Sequence, residues 1–368
     1  MSLPRLKVES SEFLRLDVIR FVAALCVVFH HWKSSLLLPG RVGLPGGSAL
    51  PRLQFLELSV DIFFVISGVI IARVYAERVT DGRSYRQYLI RRIARIYPVH
   101  LLTLVLMAVL ALKASALGLS ILGDDTLASF FRNLFLVNAW WRFGLSFNIV
   151  AWSISVEWLC YLLFPAMLCL QQRKQRWTWI AACCMPIVLS LSPVRVGEGV
   201  FHFAIIRGLL GFYVGMGAQL HRAELRRFAI PGAVVPVLAA LALGLSLAGV
   251  AYVHLYALAL AIPLLAFVAD LRGGASALVR NVAPLSQLTF SIYMWHVPFA
   301  TILPLLLRRG MAPWAWNSLI GVGALVLLCF SYVSFVALED PARSWISRFA
   351  GGRRRASAVE REGEQIAP

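Results

Sequence analysis

Apolar runs of about twenty residues, separated by short charged segments, recur from one end of the chain to the other. A helix rises about 1.5 Å per residue, so a run of that length crosses a hydrocarbon layer about 30 Å thick. Read for that length, the sequence predicts spans near 16–37, 56–76, 96–117, 148–170, 177–193, 201–220, 229–249, 251–270, 285–307 and 315–338. The fifth is short, and the seventh and eighth have almost no linker between them. The expected fold is an all-α polytopic membrane protein of about ten transmembrane helices, and an even count puts both termini on one side.

Charge tests this map through the excess of Lys and Arg that cytoplasmic loops carry. With the N-terminus inside, the inside segments hold 24 of the 35 Lys and Arg and the outside segments 9, with Arg20 and Arg207 inside spans. That bias predicts cytoplasmic termini. Composition agrees: 60% of the 368 residues are hydrophobic and 14% charged, against about a quarter charged in soluble domains. The net charge of +17 could suggest nucleic acid, but the basic residues sit between apolar runs, where topology accounts for them. Six cysteines lie in apolar runs without C-x-x-C spacing. They are expected to be buried, inert thiols, with no disulfide framework and no metal site. No cleavable signal peptide is expected, because the first apolar run follows a polar stretch and lacks a convincing small-residue cleavage site.

Two regions fall outside the spans. Residues 118–147, with Asp124, Asp125, Trp140 and Trp141, form the longest outside loop, amphipathic enough to lie along the membrane interface. The tail from Gly351 is expected to be disordered. The chain divides into a cytoplasmic segment 1–14, a transmembrane domain 15–345 and a cytoplasmic tail 346–368.

Ionisable residues inside spans are costly, so each raises a question of function. Arg20 and His31 in the first span are eleven residues apart. At about 100° per residue that is nearly three turns, so both point one way, about 16 Å apart along the axis. Snorkelling of each to its nearer surface is the alternative. Asp61 lies near the outer end of the second span, with Ser67 and Gly68 mid-membrane. The carboxylate needs water or a structural partner on a neighbouring helix. Glu157 in the fourth span has a depth compatible with His31, and a carboxylate beside an imidazole can orient it and raise its basicity. Arg91, Arg92 and Arg95 precede the third span; Arg92 and Arg95 can share a face and suit phosphate, or the cluster serves topology and lipid head groups. Ser291, Tyr293 and His296 lie mid-span in the ninth. Arg207 precedes Gly211 and Gly215, whose G-x-x-x-G spacing reads as close helix packing. His100, His202, His221 and His254 read as incidental.

These pieces, in order, resemble the acyltransferase-3 family. They are Arg20-x10-His31, V-D-I-F-F-V-I-S-G in the second span, R-R-I-A-R-I-Y-P before the third, W-S-I-S-V-E-W in the fourth, F-S-I-Y-M-W-H-V-P in the ninth and L-E-D-P-A after the tenth. The resemblance covers roughly 15–345 and implies a ten-span bacterial inner-membrane enzyme. Such an enzyme moves an acyl group other than aminoacyl, commonly acetyl from acetyl-CoA, to a hydroxyl of a polysaccharide, oligosaccharide or glycolipid. Acyl-CoA would be a co-substrate, with no permanently bound cofactor; membrane lipid would be the other partner. It points to Arg20, His31 and Glu157 as catalytic, to Arg92, Arg95 and Ser67 as donor-binding, and to Asp61, Tyr293 and His296 as supporting. Donor phosphates would meet Arg92 and Arg95 from the cytoplasm, and His31 would act as general base on a hydroxyl arriving from outside, with Glu157 steadying the imidazolium. A covalent acyl-histidine is the variant route. Two-domain members add an extracytoplasmic hydrolase-like domain, so a second step here is expected to need another protein. The E-D-P of this chain, where many relatives have E-K-P, carries no mechanism. A small secreted acceptor such as a macrolide sugar, or a transporter or flippase of a sugar or lipid-linked precursor, are the competing readings.

Overall fold

The computed structural model describes residues 6, 12–35, 53–116, 125–141, 145–191, 204–303, 313–346 and 348. Among these every regular element is helical and no strand occurs. The helices are α1 Leu14–Ser35, α2 Ser59–Tyr75, α3 Gly82–Ala116, α4 Leu127–Leu134, α5 Ala151–Leu191 and α6 Ala204–Leu220. The short α7 Arg222–Leu225 follows, then α8 Val234–Leu247, α9 Tyr252–Asp270, the short α10 Ala277–Val282, α11 Thr289–Ile302 and α12 Pro313–Ser334. The tail expected to be disordered lies outside the described residues.

Among the described residues, five helical segments are long and apolar enough to cross a membrane: Gln54–Tyr75, Gly82–Ala116, Ala151–Gln172, Tyr252–Asp270 and Ser318–Ile346. They fall on the second, third, fourth, eighth and tenth expected spans. Helices α1, α6, α8 and α11 form at four further expected places but are shorter or carry charge. The fourth and fifth expected spans differ. Instead of turning at the basic cluster Arg173, Lys174 and Arg176, the chain continues as one helix of 41 residues. The physical reason is local: Gln171 to Arg176 are all good helix formers, with no Gly, Pro or Asn to stop the helix. A run of charge marks a boundary in hydropathy without breaking the backbone.

Helix α2 is the most enclosed element, buried over most of its length. It lies directly on α6. A β-carbon added at Gly68 would overlap the carbonyl oxygen of Phe212, and one at Gly215 would overlap that of Val65, so the two backbones touch in the manner of small-residue membrane packing. Gly208 similarly admits the Val156 side chain from α5.

One end of the bundle is tied by charge. The Asp270 carboxylate at the end of α9 accepts from the backbone N–H groups of Arg15 (2.9 Å) and Leu16 (3.1 Å), capping α1, and pairs with the Arg15 guanidinium at 3.0 Å. Glu12 bridges Arg73 (3.0 Å) and Arg222. At the same end Asp81 caps α3. The Ser84 N–H donates to it at 2.7 Å, and with the Ser84 hydroxyl this holds the carboxyl below the usual carboxylate range.

The loop expected at the interface contains α4, started by a Thr126–Ser129 capping box. Its polar Ser129 and Asn133 are buried, while Leu127, Phe131 and Phe135, followed by Trp141, are exposed. Apolar outside and polar inside is the pattern for a helix lying on lipid. His100, read from the sequence as incidental, is fully buried and bonds the Asn133 carbonyl at 2.9 Å, fastening α3 to α4. All six cysteines are free, but only Cys160 is fully buried; Cys169, Cys184 and Cys329 are exposed on the outside of the bundle. The expectation of uniformly buried thiols therefore fails, because apolar surroundings in a membrane protein include its lipid-facing surface.

Candidate active site

A cavity of about 230 Å³ runs along α2, from Val60 and Phe63 at one end to Val74 and Tyr75 at the other. The eleven helical rises from Phe63 to Val74 make it roughly 16 Å tall. Its apolar wall includes Phe64, Ile66, Ile70 and Ile71 from α2 with Ile96 and Phe290. The charged groups come from separate elements: Arg20 from α1, Arg92 and Arg95 from α3, Glu157 from α5, and Arg343 beyond α12. Four guanidiniums thus face one lining carboxylate, Arg343 being paired as well with Asp340 at 3.0 Å, and the positive balance of the lining suits the cavity to an anionic ligand with an apolar arm.

The positions follow from helical spacing. Arg92 and Arg95, three residues apart, both reach the cavity, whereas Arg91 is exposed. The Arg92 guanidinium donates to the Tyr75 hydroxyl at 3.0 Å and lies 5.0 Å from the Tyr75 ring and 5.9 Å from that of Tyr161. Glu157 Oε1 accepts from Ser67 Oγ at 2.7 Å and from the Tyr161 hydroxyl at 2.6 Å. This Ser–Glu–Tyr cluster sits midway up the wall.

Behind the wall stands Glu339, at the end of a π-helical turn, Phe335–Glu339, that continues α12. It is buried, accepts from Ser291 Oγ at 2.9 Å, and feels the charges of Arg95, Arg20 and Arg343. Arg343, Tyr75 and Tyr161 are not singled out by the sequence, and Glu339 enters there only as part of the closing L-E-D-P-A. Tyr161 was within reach of a spacing argument, four residues after Glu157. Arg343 and Glu339 form another four-residue pair, but only the π turn aims them.

Tyr293 closes the end of the cavity near Phe63. Its hydroxyl bonds Ser153 Oγ at 2.6 Å and the Val150 carbonyl at 3.2 Å, and its ring lies 5.9 Å from that of Phe63. On its far side, 5.8 Å away, is the ring of His296, and against that ring, at 5.2 Å, is His31. The residues expected to share a site therefore occupy three places. Arg20, Ser67, Arg92, Arg95, Glu157 and Tyr293 line one cavity. His31 and His296 pair beyond Tyr293. Asp61 belongs to neither: fully buried, it accepts from Arg207 Nε at 3.0 Å and from a second nitrogen of the same guanidinium, joining α2 to α6. Of the two readings left open for Asp61, the structural partner is the one present. The imidazole against His31 is His296, while Glu157 is engaged by Ser67 and Tyr161. Compatible depth along an axis says nothing about the direction a side chain takes around it.

Comparison with known proteins adds the family. The acyltransferase MdmB of Streptomyces mycarofaciens is 31% identical over 159 residues, 40% of this chain and 40% of that protein. The peptidoglycan O-acetyltransferase OatA of Listeria monocytogenes is 24% identical over 382 aligned positions, 91% of this chain and 57% of that protein. Protein 2 in the picA locus of Rhizobium radiobacter is 35% identical over 114 residues, 31% of this chain and 53% of that protein. The chain spans about half the length of these curated relatives. No solved structure matches it. The family model described as an acyltransferase domain matches residues 13–336, most of the sequence, and the chain belongs to the acyltransferase-3 family.

Proposed function

We propose that this protein is a membrane O-acyltransferase of a bacterial cytoplasmic membrane, taking an acetyl or other short acyl group from acyl-CoA to a hydroxyl of a surface carbohydrate or glycolipid. The observation that carries the reading is the cavity of four arginines with an apolar wall, ending at Tyr293 beside the pair of His296 and His31. Arg92, Arg95 and Arg343 would take the donor's phosphates, the apolar wall its pantetheine arm, and His31 the proton. In the transfer the hydroxyl oxygen bonds the acyl carbon and the carbon–sulfur bond breaks. The hydroxyl proton passes to His31 and from it to the departing thiolate, leaving an ester and free coenzyme A. Family membership supports acyl transfer, and the O-acetyltransferase named among the relatives supports a carbohydrate hydroxyl as acceptor.

The test is coenzyme A binding to the purified protein, by calorimetry and thermal stabilisation. Each charge-assisted bond to phosphate contributes about 1.5–3 kcal/mol, so Arg92→Ala with Arg95→Ala should weaken binding by roughly two to four orders of magnitude. Unchanged affinity would return both arginines to a topological role, and a folded wild type that binds neither coenzyme A nor acetyl-CoA would overturn the donor assignment.

A further inference from the structure

His296 is wholly buried and its ring is held from several sides. Nδ1 lies 2.6 Å from the Tyr293 carbonyl oxygen. A carbonyl cannot donate, so Nδ1 carries the hydrogen and, in the neutral ring, Nε2 carries the lone pair. That Nε2 is buried and has no hydrogen-bond donor among the described residues. An acceptor left unmet in the interior costs about 1–3 kcal/mol, so its retention asks for a purpose. The ring against that of His296 is His31, 5.2 Å between centroids and tilted by 39°. Tyr293 is excluded as the missing donor, since its hydroxyl is committed to Ser153 and Val150.

The surroundings fix this meeting. Trp32, next to His31, donates its indole N–H to the His296 carbonyl at 3.1 Å, setting the register of α1 on α11. Pro298 has no N–H for the Met294 carbonyl four residues back, and Asn148 Nδ2 donates to it instead at 2.9 Å. Both contacts hold the turn of α11 that carries His296.

We propose that His296 is the positioning residue for His31. Its Nε2 accepts the N–H of His31, leaves the other His31 nitrogen unprotonated for the reacting hydroxyl, and spreads the charge when His31 takes up the proton. This rests on the acyl-transfer reading and replaces the expected carboxylate partner by a neutral imidazole.

The test uses the full chain in detergent, with His296→Leu, His296→Asn and His296→Gln. Gln places a carbonyl oxygen near the former Nε2, whereas Asn reaches only the Nδ1 position. With acetyl-CoA as donor, Leu and Asn should lower kcat roughly 100-fold, the range of a lost general base, with donor KM unchanged, and Gln should recover at least a tenth of wild-type turnover. Independently of transfer, His31 should react several-fold more slowly with diethyl pyrocarbonate in the Leu variant than in wild type, read by mass spectrometry on protein whose unfolding midpoint shows it folded. A wild type without acyl transfer overturns the proposed function. A His31 labelling rate equal in wild type and His296→Leu overturns the pairing, whichever way the transfer assay falls; so does equal turnover in the Leu and wild-type proteins.

Discussion

The buried pair of Asp61 and Arg207 shows how one residue's role is decided by its partner. Asp61 is fully enclosed, and the guanidinium meets it with two nitrogens while lying 5.4 Å from the Tyr252 ring. Removing one member strands the other charge in a low-dielectric interior, at a cost of about 3–5 kcal/mol. Asp61→Ala should therefore lower the unfolding midpoint sharply. Asp61→Leu combined with Arg207→Met should recover most of the loss, as buried pairs often tolerate apolar replacement. If the double variant were no better than the single one, the pair would be more than a structural tie. The sequence told that Asp61 needed a partner; it gave no means to choose Arg207, 146 residues away. Arg92 and Arg95, by contrast, were legible as one face because three-residue spacing is a local property of any helix.

For the elements, periodicity and length located most helices, and glycine spacing anticipated a close helix contact, which α2 and α6 make. The backbones there are close enough that a side chain at Gly68 or Gly215 would meet main-chain atoms, which cannot swing aside. Gly215→Val should separate the helices and cost about 1–3 kcal/mol or more. Gly244, on α8, has nothing within reach of an added β-carbon. Gly244→Ala should instead stabilise, by about 0.4–1 kcal/mol, through the unfolded chain. Thermal unfolding of the two variants side by side distinguishes packing from propensity; a Gly215→Val protein as stable as wild type would refute the close approach. Helix α5 marks the limit of such reading. Hydropathy and charge divided it at Arg173–Arg176, whereas backbone preference carried it through, and only the latter decides where a helix ends.

Across the whole molecule, charge is segregated. The ion pairs of Arg15 with Asp270 and of Glu12 with Arg73 and Arg222 gather at one end, the same end at which Tyr75, Arg92 and Arg343 enter the cavity wall. The positive-inside rule predicts that this end faces the cytoplasm. In oriented vesicles, Val74→Cys on a background without the six native cysteines should react with an impermeant maleimide only from the side bearing residues 76–81, and coenzyme A should protect it. Reaction from the opposite side would reverse the orientation. The resemblance to a family gathered Arg20, Ser67, Arg92, Arg95, Glu157 and Tyr293 into one site, and they line one cavity; spacing alone could not have done so, since each contribution depends on rotation about a different helix axis. A passage lined by four arginines and open at both faces would conduct chloride, driven by about 2.3 kcal/mol per charge for each 100 mV. Tyr293, latched to Ser153 by its hydroxyl, lines that cavity beside Phe63, and in the proposed two-sided transfer it is the group that would keep the bilayer an electrical insulator.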